Sequence, residues 1–112
     1  MRLSDRVEAA GPALDAVFRA LGDPTRRTML RLLADGERSI GELAEPFEMT
    51  FAGASKHVKV LEGAGLISRS VKGRTHVCRL EAAPLGEADE WLRFYSGFWG
   101  RRLDALDARL RR

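Results

Sequence analysis

Cysteine is almost missing from this chain. Cys78 stands alone among 112 residues, which excludes an internal disulfide framework and makes a reducing cytoplasm the expected compartment. Histidine is nearly as rare, with only His57 and His76. His76 and Cys78 would share a strand face, but two ligands are too few for a closed four-coordinate metal site unless a dimer axis doubles them. Hydrophobic runs are short, and none approaches the ~20 residues that cross a bilayer. The segment ahead of Gly11-Pro12, with Arg2, Asp5, Arg6 and Glu8, holds no secretory hydrophobic stretch, so no membrane partner is expected. Catalytic signatures are missing too: there is no phosphate-binding glycine loop and no carboxylate cluster. Ser55 and His57 lie two apart on a helix and do not face each other, which leaves no nucleophile with a base in reach. An enzyme is disfavoured and no cofactor is expected.

What the chain does have is charge, unevenly spread. Its net charge is +3, yet residues 51–80 carry Lys56, Lys59, Arg69, Lys72, Arg74 and Arg79 against Glu62 as the one acid, so the remainder is slightly acidic. A basic block on an otherwise neutral protein is the footprint of a polyanion partner. Charge alone leaves RNA and acidic membrane surfaces open. With 45% hydrophobic residues, residues 1–112 suffice for one small domain, of a size that often gains stability by dimerising.

Apolar spacing divides the chain into helices and a hairpin. Leu14, Val17, Phe18 and Leu21 mark a first helix that Gly22 stops, with a shorter turn before Gly11 bringing the whole segment to 7–21. Asp23 caps a second helix with Pro24 at its first position, and Met29, Leu30, Leu32 and Leu33 are its core candidates. Ser39 caps a short third helix through Ile40 and Leu43, with Glu42 completing a capping box. After the turn Phe47-Glu48-Met49, Thr50 caps a helix over 51–63. Phe51, Ala54, Val58 and Leu61 fall on its inner side, Ala52, Gly53, Lys56 and Lys59 on its outer side, and Ser55 and His57 on the flanks. The outer face is small and basic, as a helix lying in a major groove requires. An ordinary amphipathic surface helix would show the same inner stripe. Residues 39–64 thus read as a helix-turn-helix.

Leu66–Val71 and Thr75–Leu80 read as two strands around the basic tip Lys72-Gly73-Arg74, with a register that the neighbouring apolar residues leave open. Within this hairpin, 66–80, the portion 69–76 would reach phosphate or the minor groove. A hairpin that merely covers the core is the other reading. Aromatics are sparse at 7% but five of them, Trp91, Phe94, Tyr95, Phe98 and Trp99, crowd the final helical stretch, 85–110. With Leu103 and Leu106 they form a stripe that suits a dimer interface built with the 7–21 helix, since aromatics are enriched in interfaces. Packing of that stripe on the chain's own core is the alternative. The fold expected is mostly α with a small β-hairpin, in the order α-α-α-α-β-β-α.

This order, with Phe18-Arg19-Ala20-Leu21-Gly22-Asp23-Pro24-Thr25-Arg26-Arg27, Ile40-Gly41-Glu42-Leu43-Ala44 and Ala54-Ser55-Lys56-His57-Val58-Lys59-Val60-Leu61-Glu62-Gly63-Ala64-Gly65-Leu66-Ile67, resembles the ArsR family of bacterial winged helix-turn-helix transcriptional regulators. The resemblance spans roughly residues 12–110. It implies a homodimer that represses its own or adjacent genes by occupying a palindromic double-stranded operator. It also implies DNA-facing roles for Thr50, Gly53, Ser55, Lys56, His57 and Lys59, with Arg69, Lys72, Gly73 and Arg74 in the wing. Arg26 and Arg27 would either touch phosphate or pair with surface acids. Dimerisation would use Leu14, Val17, Phe18, Trp91, Tyr95, Phe98, Trp99, Leu103 and Leu106. Metal-sensing members carry a Cys-x-Cys element on the short helix or acid and histidine ligands on the last one. Here Ile40–Ala44 lacks cysteine and the last helix lacks histidine, so the chain looks like the non-metal branch, and a metal-responsive repressor is the weaker reading. An effector or protein inducer is left open. The rival from another class is a winged-helix protein-interaction module in which DNA binding is secondary.

Overall fold

Three helix starts are secured by the side chain that the local sequence supplies. A computed structural model describes residues 13–98 together with Gly100 and Arg109; Trp99, Leu103, Leu106 and the part of the 7–21 segment before residue 13 lie outside the described residues. Helix α1 covers 13–21. Helix α2, Pro24–Leu33, begins with Asp23 Oδ1 accepting from the Arg26 N–H at 3.1 Å. Strand β1 is Arg38–Ser39 and helix α3 is Ile40–Ala44, where Ser39 Oγ accepts from the Glu42 N–H and Glu42 Oε1 from the Ser39 N–H, closing the capping box. Helix α4, Phe51–Gly63, is capped by Thr50 Oγ1, which accepts from the Gly53 N–H at 3.0 Å.

The stop of α4 rests on one glycine. Gly63 is still helical, whereas Gly65 takes φ 74°, the left-handed conformation that only glycine adopts without penalty. The Leu66 N–H then reaches Leu61 O and the Gly65 N–H reaches Glu62 O, the paired bonds of a Schellman ending. That ending turns the chain directly into strand β2, Ile67–Lys72.

Strand β3, Thr75–Leu80, returns antiparallel with Lys72 opposite Thr75, Arg69 opposite Cys78 and Ile67 opposite Leu80. Gly73 supplies the positive φ, 68°, at the first position of the two-residue loop. This register places Ile67, Arg69 and Val71 on the same face as Leu80, Cys78 and His76, because paired residues share a face and the side-chain period is two. The sheet is three-stranded, not a bare hairpin: β1 adds to β3 through Arg38 opposite Cys78 and Ser39 opposite Val77, in the order β1-β3-β2. Two residues are too short to show any alternation, so that strand was not foreseeable from pattern.

Met29, Leu33, Ile40, Leu43, Ala54, Val58, Leu61, Leu66 and Cys78 form the centre of the core, joined by Val17 and Ala20 from α1 and Ala88 from the last helix. That helix, α5, runs Ala83–Arg93. It does not continue unbroken, as the stripe over 85–110 suggested. A turn at Phe94–Tyr95 interrupts it before helix resumes at 96–98, with the Tyr95 N–H on Leu92 O and Ser96 Oγ donating to Arg93 O. Phe51 is the other departure. Placed on the inner side by periodicity, it is 59% exposed, because α3 is only five residues long and does not cover the first turn of α4.

The caps make stability acid-sensitive. The Arg26 N–H holds the Asp23 carboxyl below its ordinary value of 3.8, and the Ser39 N–H and hydroxyl do the same for Glu42. Groups whose folded value is depressed stabilise fully above their ordinary range and lose that contribution as pH falls through the folded value. Thermal melts should therefore drop in midpoint below about pH 4. Asp23→Asn keeps a good cap at neutral pH and should show a shallower acid decline; an unchanged decline would remove Asp23 from this account.

Candidate nucleic-acid interface

The sequence Asp23-Pro24-Thr25-Arg26-Arg27 closes two helices at once. Asp23 starts α2, while the two arginines reach back to the end of α1, where the last carbonyls lack helical partners. Arg26 Nε donates to Ala20 O at 2.8 Å and Nη2 to Arg19 O at 3.1 Å; Arg27 Nη1 donates to Leu21 O at 2.7 Å. Phosphate contact or pairing with surface acids were the expected roles for these two residues. The structure instead engages both with backbone carbonyls, and Arg26 adds only a long ion pair to Asp23 at 4.0 Å. The Arg26 side chain is 15% exposed. Its remaining nitrogen, Nη1, lies 3.3 Å from His57 Nδ1 on α4.

Along α4, Thr50, Lys56 and Lys59 are exposed and Gly53, Ser55 and His57 half-buried. The Thr50 hydroxyl accepts the Gly53 amide, so that amide is not free for a ligand, but the hydroxyl proton is. Lys56 and Lys59 form no ion pair among the described residues, nor does Arg74 at the hairpin tip. The tip stands beside the start of α4: Arg74, His76, Phe51, Ser39 and Gly41 line one shallow hollow between them. Lys72 meets Glu37 at 3.4 Å with both groups well exposed, a loose pair of little energetic weight. Gly73 is exposed in the turn itself. The unpaired cations among the described residues here are thus Lys56 and Lys59 along α4 and Arg74 beside its N-terminus.

Arg69 does not join them. It lies on the inner face of the sheet, 15% exposed, with Nη2 donating to Glu62 Oε1 at 2.9 Å. Its Nε is buried with no hydrogen-bond partner. Periodicity in β2 could not assign the face until the register was known. Two substitutions test this. Arg69→Met should leave stability within about 1 kcal/mol, since an apolar side chain of similar length replaces a desolvated ion pair. Glu62→Ala, which strands the guanidinium, should cost about 1–2 kcal/mol, discounted for the exposure of Glu62. Urea unfolding that ranks the two in the opposite order would refute the assignment.

The thiol of Cys78 sits in the core, and burial pushes its pKa up, opposed only by the nearby Arg69. It is a small apolar core residue and not an activated nucleophile. His76 shares its face, with Nδ1 buried and unpartnered. Among the described residues no three His, Cys, Asp or Glu side chains converge on one point.

A second surface is apolar. Trp91, Leu92, Phe94, Tyr95 and Phe98 are all exposed, Phe94 to 76%. Their rings form a chain: Phe18 meets Trp91 edge-on at 5.7 Å, Trp91 meets Tyr95 at 5.3 Å, and Tyr95 meets Phe94 at 5.0 Å and Phe98 at 6.3 Å. Of the α1 residues expected here, Leu14 and Phe18 are partly buried, but Val17 points into the chain's own core and offers nothing to a partner.

Known proteins share this architecture. Residues 21–69 match a helix-turn-helix domain family. The chain is 34% identical over 79 residues to the transcriptional repressor SdpR of Bacillus subtilis, covering 70% of this chain and 88% of that protein. A crystal structure of an ArsR family transcriptional regulator superposes with a TM-score of 0.74 at 36% identity, covering 80% of this chain and 93% of the other. The homodimeric winged helix-turn-helix DNA-binding domain of Mb0332 from Mycobacterium bovis gives a TM-score of 0.66 at 26% identity, covering 82% and 91%. All three are regulators or DNA-binding domains, not enzymes, as the missing catalytic signatures led one to expect.

Proposed function

Because the chain belongs to the ArsR family of winged helix-turn-helix transcriptional regulators, we propose that it binds a palindromic operator as a homodimer and represses its own or adjacent genes. The observation that carries this reading is that Lys56 and Lys59 stand exposed along α4 without an ion pair among the described residues, while Arg74 of the wing tip, equally unpaired, lies beside that helix's N-terminus. Helix α4 lies in the major groove, where Ser55, Lys56, His57 and Lys59 reach base edges and phosphates, and Thr50 donates its hydroxyl proton to the backbone. Lys72, Gly73 and Arg74 rest on phosphate at the groove's edge. Arg69 is held by Glu62 on the inner face of the sheet and Arg27, though exposed, is engaged with the Leu21 carbonyl, so neither is assigned a DNA contact. Homodimerisation through the apolar surface of α5 and the adjoining part of α1 places two copies of α4 about one helical turn, roughly 10 bp, apart. The homodimeric mycobacterial relative supports this assembly.

Fluorescence anisotropy with labelled DNA from just upstream of the coding sequence, beside a scrambled duplex and at two salt concentrations, tests the reading. Tight, salt-weakened binding to the native duplex alone is expected. Equal binding to both duplexes would move the target elsewhere. No binding to either at low salt would favour a winged-helix module whose partner is a protein.

A further inference from the structure

Arg26 is tied down from three sides before it meets the recognition helix. Its Nε and Nη2 are held by the Ala20 and Arg19 carbonyls of α1, and its backbone N–H by Asp23. The one nitrogen left points at His57 Nδ1, 3.3 Å away. A guanidinium is always charged and can only donate, so Nδ1 must be the acceptor in this bond. The proton of the imidazole is thereby placed on Nε2, on the far side of the ring, and the ring orientation is set by a side chain outside α4.

We propose that Arg26 is a positioning residue that presents His57 to DNA as a hydrogen-bond donor through Nε2–H. A donor at this place pairs with the acceptors of the major groove, guanine O6 and N7, adenine N7 or thymine O4, and is rejected where the exocyclic amine of cytosine or adenine points at it. The recognition helix therefore discriminates at one base pair of each half-site through a residue of α2 that never touches the base. The same anchoring joins α1, α2 and α4 through one side chain, so movement at the end of α1 is felt at His57. The inference rests on the DNA-binding reading given above, and its two halves are separable by experiment.

The first measurement needs no DNA: nitrogen-15 correlation spectra of the free protein should show His57 with its proton on Nε2 and Nδ1 unprotonated. A proton on Nδ1 would overturn the proposal outright. The second compares the wild-type protein, Arg26→Lys, Arg26→Gln and His57→Gln on duplexes varied at each position of the half-site, across a salt series. Arg26→Lys keeps the charge but loses the planar fork, and should flatten the preference at one base pair by about 10-fold, the range of a single base contact, while the salt slope stays unchanged. The side-chain amide of His57→Gln can accept from Arg26 and still donate outward, so it should retain part of that preference. If instead Arg26→Lys leaves every base preference intact, or Arg26→Gln weakens all sequences uniformly with a slope reduced by about one per protomer, Arg26 is a phosphate ligand and the proposal fails. Melting curves of each variant monitor the loss of the α1 carbonyl bonds separately. Should the Nε2–H tautomer be found but no duplex be bound, the DNA reading is what has failed, and the base-reading role falls with it.

Discussion

Replacing Lys56 and Lys59 together by alanine is expected to weaken operator binding by on the order of 100-fold or more at low salt and to leave the fold intact. Both side chains are exposed on α4 and neither forms an ion pair among the described residues, so nothing inside the protein is lost with them. Alanine is also a better helix former than lysine, which keeps any change in stability small. On DNA the situation differs. Each cation that neutralises a phosphate releases condensed counterions and contributes about 0.9 to the slope of log affinity against log salt. A homodimer loses four such charges, so the slope should shrink by up to about 3.6 if all four meet phosphate. Anisotropy titrations at several salt concentrations measure both quantities. Unchanged affinity and slope in the double variant would mean that α4 is not the groove-binding helix, and the wing would have to carry recognition alone.

The second large effect belongs to the apolar surface. Phe94→Ser should convert the protein to monomers at micromolar concentration without unfolding it. Phe94 is the most exposed of the described aromatics and meets Tyr95 edge-on at 5.0 Å at the surface, so its removal leaves no cavity in the core. Trp91→Ala should also dissociate the dimer, but it additionally breaks the edge-on contact with Phe18 and will cost some stability of the subunit. In a two-fold interface each substitution acts twice. At about 2 kcal/mol per buried aromatic anchor, the dimer loses about 4 kcal/mol, close to a thousandfold in its dissociation constant. Sedimentation velocity reads the oligomeric state and anisotropy the accompanying loss of operator affinity. Intact dimers in both variants would place the interface elsewhere and leave this surface to another partner.

Local signals proved reliable where the physics is local. Asp23, Ser39 and Thr50 start their helices as read, because a cap needs only a side-chain oxygen and an amide three residues on. Met29, Leu33, Ala54, Val58 and Leu61 are buried as their spacing required. Phe51 follows the same spacing and is exposed: periodicity states which residues share a face, not whether another element covers that face. Arg69 shows the converse. Its charge suggested DNA, but strand register turned it inward against Glu62, and register is decided by pairing between strands.

The sequence by itself determined the order of the helices and the hairpin, the starts of α2, α3 and α4, the basic character of α4 and the wing, and the family, since each depends on neighbours a few residues apart or on the identity of short motifs. Only the tertiary structure decided that β1 extends the sheet, that Val17 serves the core, that Arg26 caps α1 and reaches His57, and which of the cations stay unpaired. Those outcomes join residues as far apart as Arg26 and His57, or Arg38 and Cys78. Contacts at such separations form only when the whole core closes, and no spacing rule along the chain encodes which side chain will then be within 3 Å of which carbonyl.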